Sequence, residues 1–240
     1  MSRILPILFN TEMVKAILGG RKTVTRRVVK FPVNNYTNKI PDVDRVSVYS
    51  NTMPSEKVSF HEPPFYCFNV KSPCQPGDVL YVRETWAFIP CIECRREGSC
   101  DRFPFSYEDK DSVSEGCYIY RAEHAEPERI TWRPSIHMPK EAARIFLKVT
   151  DVRIEQLNMI SEEDMVAEGI YPYKEQKTEL ELNYGILDGA KTEIELEYEF
   201  ADLWDSTLKK SDLDRYGWDA NPWVWVIEFE RCEKPEGWCV

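Results

Sequence analysis

Met13, Val14, Ile17 and Leu18 recur at helical spacing, which predicts a helix from about Thr11, whose hydroxyl offers an N-cap oxygen, to Leu18. Gly19 and Gly20 follow, residues able to take the left-handed conformation that commonly ends a helix. Ahead of this helix, residues 4–9 form a short apolar run containing Pro6 and read as an edge strand or extended entry segment. Behind it, Thr23, Val24, Thr25, Val28 and Val29 favour an extended chain. Residues 31–75 are rich in Pro, Asn and Ser without clear periodicity and read as a long surface excursion. Pro76-Gly77-Asp78 makes a turn, residues 79–84 read as a buried strand, and Tyr118-Ile119-Tyr120 resumes the pattern after a charged, cysteine-rich stretch. Ile145, Leu147, Val149, Val152 and Ile154 alternate with a phase slip near Thr150, which predicts a bulge there.

Ser161-Glu162-Glu163-Asp164 has the form of a capping box opening a short helix that stops at Gly169. Residues 171–192 read as another loop. Phe200, Leu203, Trp204 and Leu208 mark a further helix, approached through Glu193, Glu195, Glu197 and Glu199, and residues 223–230 close the chain's pattern as a strand. Helices scattered among more numerous strands, with no internal repeat, predict an α+β architecture: a small mixed barrel or curved sheet carrying helices and loops. Length permits one elaborated domain or two small ones, and the pattern favours one domain with insertions.

Composition narrows the class. At 42% hydrophobic and 12% aromatic residues the chain is too apolar for a disordered or collagen-like protein. No apolar run reaches the roughly 18 residues of a membrane span, so a soluble, cytoplasmic protein with no membrane partner is expected. The net charge of −10 opposes general duplex binding. Arg21, Lys22, Arg26, Arg27 and Lys30 nevertheless form a local positive patch uninterrupted by any acid.

Lys22 and Thr25 carry the sharpest chemistry. An amine three residues from a hydroxyl on a bent segment can act as base and nucleophile in acyl transfer, and Arg21, Arg26 and Arg27 would lower the lysine pKa if near and poorly solvated. A solvated basic strand that binds phosphate is the alternative. Glu168 precedes the helix-ending Gly169, where the helix dipole does not favour a carboxylate. It is either an ordinary exposed glutamate or a partner for Lys22 or an arginine. Cys91-x-x-Cys94, with Cys100 and Cys117, gives four thiols in one insertion. They are read either as a closed structural zinc site or as free or oxidised thiols. Cys67, Cys74, Cys232 and Cys239 say less. His137 reads as a cleft residue or as a hydrogen-bonded structural histidine.

Taken in order, GRKTVTRR after a helix, PGDVLYVRETW, WRPSIHMP, ISEEDMVAEGI and the terminal NPWVWVIEF resemble the ASCH domain of the PUA-like superfamily, in the longer form carried by phages and prophages. The resemblance covers the two ends and several internal blocks. It implies a small β-barrel with flanking helices and a cleft for a nucleoside or RNA base. The family's best-defined bacterial enzyme is an amidohydrolase that deacetylates N4-acetylcytidine with a lysine, a threonine and a glutamate and requires no cofactor. Its motif maps onto Lys22 and Thr25 through G-R-K-T-x-T-x-R, and its glutamate onto Glu168 by helix position. The resemblance thus implies Thr25 as nucleophile, Lys22 as proton carrier and Glu168 as the group that orients them. Arg21, Arg26, Arg27 and Trp86 would contact substrate. Insertions at about 31–75, 88–117 and 171–192 depart from the compact enzyme. Other ASCH proteins are thought to bind or cleave RNA, so a noncatalytic RNA-binding module, with Trp86, Trp132 and Tyr120 clamping a strand, and a ribonuclease are the alternatives.

Overall fold

The computed structural model describes residues 2–30, 45–47, 57–62, 66–90, 116–123, 130–172, 191–236 and 238. Strand β1 (Ile4–Leu8) leads into helix α1 (Thr11–Leu18), and β2 (Val24–Val28) follows directly. The α1 N-cap is Asn10 rather than Thr11: its side-chain oxygen accepts from the Met13 backbone N–H at 2.8 Å, and Thr11 becomes the first helical residue. Gly20 takes the left-handed conformation at φ 73° and ends the helix.

Strands β3 (Arg45–Ser47), β4 (Lys57–Glu62) and β5 (Tyr66–Lys71) form a small antiparallel sheet inside the stretch read as an aperiodic excursion. A period of two is present there, in Val58 and Phe60 and in Tyr66, Phe68 and Val70, but the runs are too short to stand out among Pro and Asn. β6 (Val79–Arg83) is the predicted strand after the turn at Gly77. β7 (Trp86–Pro90) and β8 (Gly116–Tyr120) pair as the two strands that bracket the cysteine-rich segment.

β9 (Phe146–Gln156) is the long predicted strand. Helix α2 (Glu162–Ala167) is capped by Ser161, whose hydroxyl accepts from the Asp164 N–H at 3.2 Å. Helix α3 (Glu193–Ser206) starts earlier than the apolar positions indicate, because Thr192 and Glu195 form a reciprocal capping box that draws the acidic approach into the helix. Short α4 (Leu213–Tyr216) precedes the terminal strand β10 (Trp223–Cys232).

Five strands pair in the order β1-β6-β9-β10-β2, with β1 parallel to β6 and the remaining ladders antiparallel. Between Glu228 and Phe229 the β9–β10 register slips: Glu228 pairs with Asp151 and Phe229 with Val149, leaving Thr150 as the extra residue. The bulge falls at the predicted phase slip, and it lets Val149 and Phe229 share one face with Ile227 and Trp225.

That face packs on Val14 and Ile17 of α1. The opposite face presents Val24, Val224 and Val226 to Met165 of α2 and to Leu196, Phe200 and Trp204 of α3. A third cluster, Trp86, Tyr120, Met138, Phe146 and Trp238, lies with the β7–β8 hairpin. The architecture is mixed α+β, but the five-stranded sheet is open rather than a closed barrel, because β1 and β2 form its edges and share no ladder among the described residues. The link between these edges is a side chain: the Arg27 guanidinium on β2 donates from Nη2 to the Leu8 carbonyl of β1 at 2.8 Å.

No helix among the described residues is long and apolar enough to cross a membrane.

Candidate functional site

The turn after α1 brings the basic segment back against its own helix. The N–H groups of Arg21 and Lys22 both donate to the Ala16 carbonyl, at 2.9 and 3.1 Å. Thr23 N–H donates to the Ala167 carbonyl at 2.8 Å, and the Thr23 carbonyl accepts from Phe229 N–H at 2.9 Å, so residues 21–23 are held between the end of α2 and β10. Gly169 makes the approach possible. It sits at φ 105°, and a Cβ there would lie 2.9 Å from the Ala16 Cβ and 3.4 Å from the Lys22 Cβ.

This clamp buries Lys22 and Glu168 against each other. The Lys22 side chain is 0% exposed and that of Glu168 5%. Lys22 Nζ donates to Glu168 Oε2 at 2.5 Å, to the Glu168 carbonyl at 2.7 Å and to the Val24 carbonyl at 2.8 Å. An ammonium has three donors, so these contacts occupy all of them. Burial pulls the Lys22 pKa below its usual value, the adjacent Glu168 carboxylate opposes that, and Arg27 and Arg26 add a further downward push.

Arg26, also buried, continues the network. Its Nη1 donates to Glu168 Oε1 at 3.4 Å, and its Nη2 donates to Asp164 Oδ2 at 2.5 Å and Glu155 Oε2 at 3.4 Å. Its Nε lies buried without an acceptor. Arg153 also donates to Asp164, at 3.0 Å. Two arginines on the sheet therefore grip Asp164 and fix α2, the helix that delivers Glu168.

Alternation along β2 turns Thr25 and Arg27 to the other face. Thr25 is buried, 1% exposed, opposite Ile227 in register. The Arg27 guanidinium carbon and Lys22 Nζ lie 5.2 and 5.7 Å from the centroid of the Phe9 ring, so both cations approach one aromatic ring. Burial also lowers the Arg27 pKa, against the pull of Glu168. Arg21 is the exposed member: it donates to the Gly169 carbonyl at 3.0 Å, and its guanidinium carbon lies 5.4 Å from the Tyr171 ring centroid.

Of the residues named from sequence, the fold gathers Lys22, Glu168 and Arg26 by direct contact. Thr25 and Arg27 stand on the adjoining face, and Arg21 lies at the edge. Trp86 is elsewhere, buried in the third cluster and paired with Tyr120 and Arg133. Cys91, Cys94 and Cys100 lie outside the described residues, and Cys117 stands on β8. Among the described residues no group of three His, Cys, Asp or Glu is placed to hold a metal ion. His137 is exposed, in a single turn of helix.

A cavity of about 290 Å³ adjoins Glu168, lined also by Met13, Gly169 and Tyr171 and by the acids Glu12, Glu199 and Asp202. In the sequence the acidic run at 193–205 reads as a solvated helix face, or as one that discourages nucleic-acid contacts or mimics them for a protein partner, and not as a cavity wall. Glu199 and Asp202, three apart on α3, fall on one side of the helix, and this spacing was the available signal. Comparison with family models, with curated proteins and with solved structures gives no match.

Proposed function

We propose that this chain is an ASCH-type, PUA-like protein whose Lys22–Glu168 centre hydrolyses the amide of an acylated cytosine base, N4-acetylcytidine being the simplest substrate. The observation that carries the reading is the Lys22–Glu168 pair itself. Residues 146 positions apart are brought to 2.5 Å in a nearly dry site, an arrangement that costs stability and is common where a proton is to be moved. The open five-stranded sheet departs from the closed barrel that the family implies, so the reading rests on the site and not on the architecture. The cavity beside Glu168 stands near the lower end of the ~300–1,000 Å³ range of small-molecule sites.

In this mechanism Lys22 becomes a base by passing a proton to Glu168 Oε2, a transfer favoured by the burial that lowers its pKa. Thr25 Oγ1 adds to the acetyl carbonyl carbon as its proton goes to Lys22 Nζ. Collapse breaks the C–N4 bond, and the proton moves from Lys22 to the leaving nitrogen, releasing the amino base. Water then cleaves the threonyl ester to acetate. Lys22 as a phosphate contact of a noncatalytic RNA-binding module is disfavoured, since its side chain is 0% exposed and all three donors are taken.

Mass-spectrometric turnover of N4-acetylcytidine tests the proposal. Folded wild type should yield cytidine and acetate, and Lys22→Ala, Thr25→Ala and Glu168→Ala should each lower the rate by roughly 10²-fold or more. A folded wild-type protein that releases no cytidine overturns it.

A further inference from the structure

Helix α2 carries two inward acids one turn apart. Asp164 and Glu168 are spaced at i and i+4, and the Glu168 N–H donates to the Asp164 carbonyl at 2.8 Å, so both side chains leave the same face. Glu162 and Glu163, the other acids of the first turn, are exposed, whereas the Asp164 side chain is 22% exposed and meets the sheet. Arg26 lies between the two inward acids. Its buried guanidinium donates from Nη2 to Asp164 Oδ2 at 2.5 Å and from Nη1 to Glu168 Oε1 at 3.4 Å, while Lys22 Nζ donates to the other Glu168 oxygen at 2.5 Å.

That division runs against the pairing preference of these groups. Arginine fits a carboxylate with two parallel N–H donors, a geometry that an ammonium does not match. Unrestrained, Arg26 would close its fork on Glu168 and draw the carboxylate away from Lys22. In the fold it forks onto neither acid: Nη2 is shared by Asp164 and Glu155, at 2.5 and 3.4 Å, and Nε lies buried with no acceptor. A buried donor without a partner is a penalty that turning toward Glu168 would remove. The short contact to Asp164 is what holds the guanidinium back. Asp164 is itself anchored, because its Oδ2 also accepts from Arg153 Nη2 at 3.0 Å, and Arg153 is fixed in turn by Glu155, at 2.5 Å, and by Glu228.

We infer that Asp164 is a positioning residue of the Lys22–Glu168 centre: it holds Arg26 off Glu168 and so leaves that carboxylate to the lysine. Its effect on turnover rests on the hydrolase reading of the centre, and its effect on the Lys22 amine does not. Neither Asp164 nor Arg26 is among the described residues that line the cavity, so the pair acts behind Glu168 and not on a substrate. Burial lowers the Lys22 pKa, and the charged groups that act on it are Glu168 on α2, which opposes that, and Arg27 and Arg26 on β2, which add to it. Releasing Arg26 onto Glu168 would strip Lys22 of its one opposing carboxylate, and the amine would lose its proton at a lower pH.

The test follows the Lys22 amine by NMR in full-length protein carrying isotopically labelled lysine, its resonance being the one missing from the Lys22→Met, Glu168→Leu double variant. Asp164→Asn, which keeps the shape and removes the charge, should lower the Lys22 titration midpoint by about one pH unit or more. In an Arg26→Met background the same Asp164→Asn change should leave the midpoint unmoved, because nothing remains to compete for Glu168. With N4-acetylcytidine, Asp164→Asn should reduce kcat roughly tenfold with KM unchanged, and adding Arg26→Met should restore part of the rate. A wild type without turnover sinks the hydrolase reading, and the midpoints still decide this one. Equal midpoint shifts with and without Arg26, or no shift in folded Asp164→Asn, overturn it. Loss of fold in Asp164→Asn that Arg26→Met repairs supports the restraint, whereas loss of fold in both shows that Asp164 holds α2 by itself and overturns the inference.

Discussion

At Lys22 an ammonium is taken fully out of water, and three acceptors at 2.5 to 2.8 Å compensate for its lost hydration. Removing one partner leaves the other charge buried, a change that typically costs about 3–5 kcal/mol. Glu168→Ala should therefore lower the unfolding free energy by about that amount, and Lys22→Met combined with Glu168→Leu should recover most of the loss, because neither charge remains. Urea denaturation of the two variants beside wild type reads the difference. A single variant within about 1 kcal/mol of wild type would mean that water reaches the pair.

Tyr120 offers a second test at this scale. Its hydroxyl donates to the Ala142 carbonyl at 2.6 Å, and burial pushes its pKa from 10.0 up to about 12, with Glu84, Glu123 and Tyr118 adding to the rise and Arg144 opposing it. The neutral phenol is favoured in the folded state, so its contribution is complete below pH 10 and fades as pH rises toward 12. Two pKa steps correspond to about 3 kcal/mol. Tyr120→Phe should flatten the alkaline part of a stability-versus-pH curve, leaving the slope contributed by Cys74, also raised to about 12 by burial. A curve unchanged between pH 9.5 and 12 would show that the phenol ionises freely.

Among the elements, the join between α2 and the basic turn governs the site. Gly169→Ala combines a left-handed residue with a Cβ 2.9 Å from that of Ala16. The backbone penalty of ~1–2 kcal/mol and the overpacking penalty of ~1–3 kcal/mol together give about 2–5 kcal/mol, or roughly 4–20 °C in Tm. Because Lys22 Cβ is the next neighbour at 3.4 Å, the same change should weaken the proposed hydrolysis as well as stability. Calorimetry and turnover measured on one preparation check both. Sequence carried this join only in outline: Ser161 and Gly169 marked the two ends of α2, but that Glu168 turns inward depends on contacts to Asp164 from Arg153, 11 residues before it, and from Arg26, 138 residues before it. The bulge at Thr150 was legible because a long amphipathic strand exposes any slip in its alternation. Strands β3, β4 and β5 escaped notice because three to six residues give too few alternations to separate a strand from a polar loop. The N-cap shifted by one residue because Asn10 and Thr11 are both capable caps, and only the Met13 contact chooses between them. Trp86, expected to contact substrate or to clamp a strand, is instead buried in the third cluster, a placement that local sequence cannot distinguish from an exposed aromatic.

For the whole molecule, the open sheet is the consequence that local patterning could not fix, since closure depends on whether its first and last strands meet. Here β9 and β10 form the longest ladder at the centre, while β1 and β2 are the edges, bridged by the Arg27 guanidinium on the Leu8 carbonyl. Central strands open with the global unfolding free energy and edges open locally, so amide exchange should be slowest in residues 147–154 and 224–231 and faster in 4–8 and 24–28. Arg27→Met keeps a long apolar stem against Phe9 but removes the donor. It should speed exchange of the β1 and β2 amides several-fold while leaving β9 and β10 unchanged, whereas Arg27→Lys, which keeps a charge and a donor near Leu8, should restore part of the protection. Hydrogen-exchange mass spectrometry on the three proteins measures this directly. Equal protection of the edges in wild type and Arg27→Met would show that the edges are held by packing of α1 across β1 and β2 and not by the guanidinium. In that case the approach of the two edges would owe nothing to the residue that shares the Phe9 ring with Lys22.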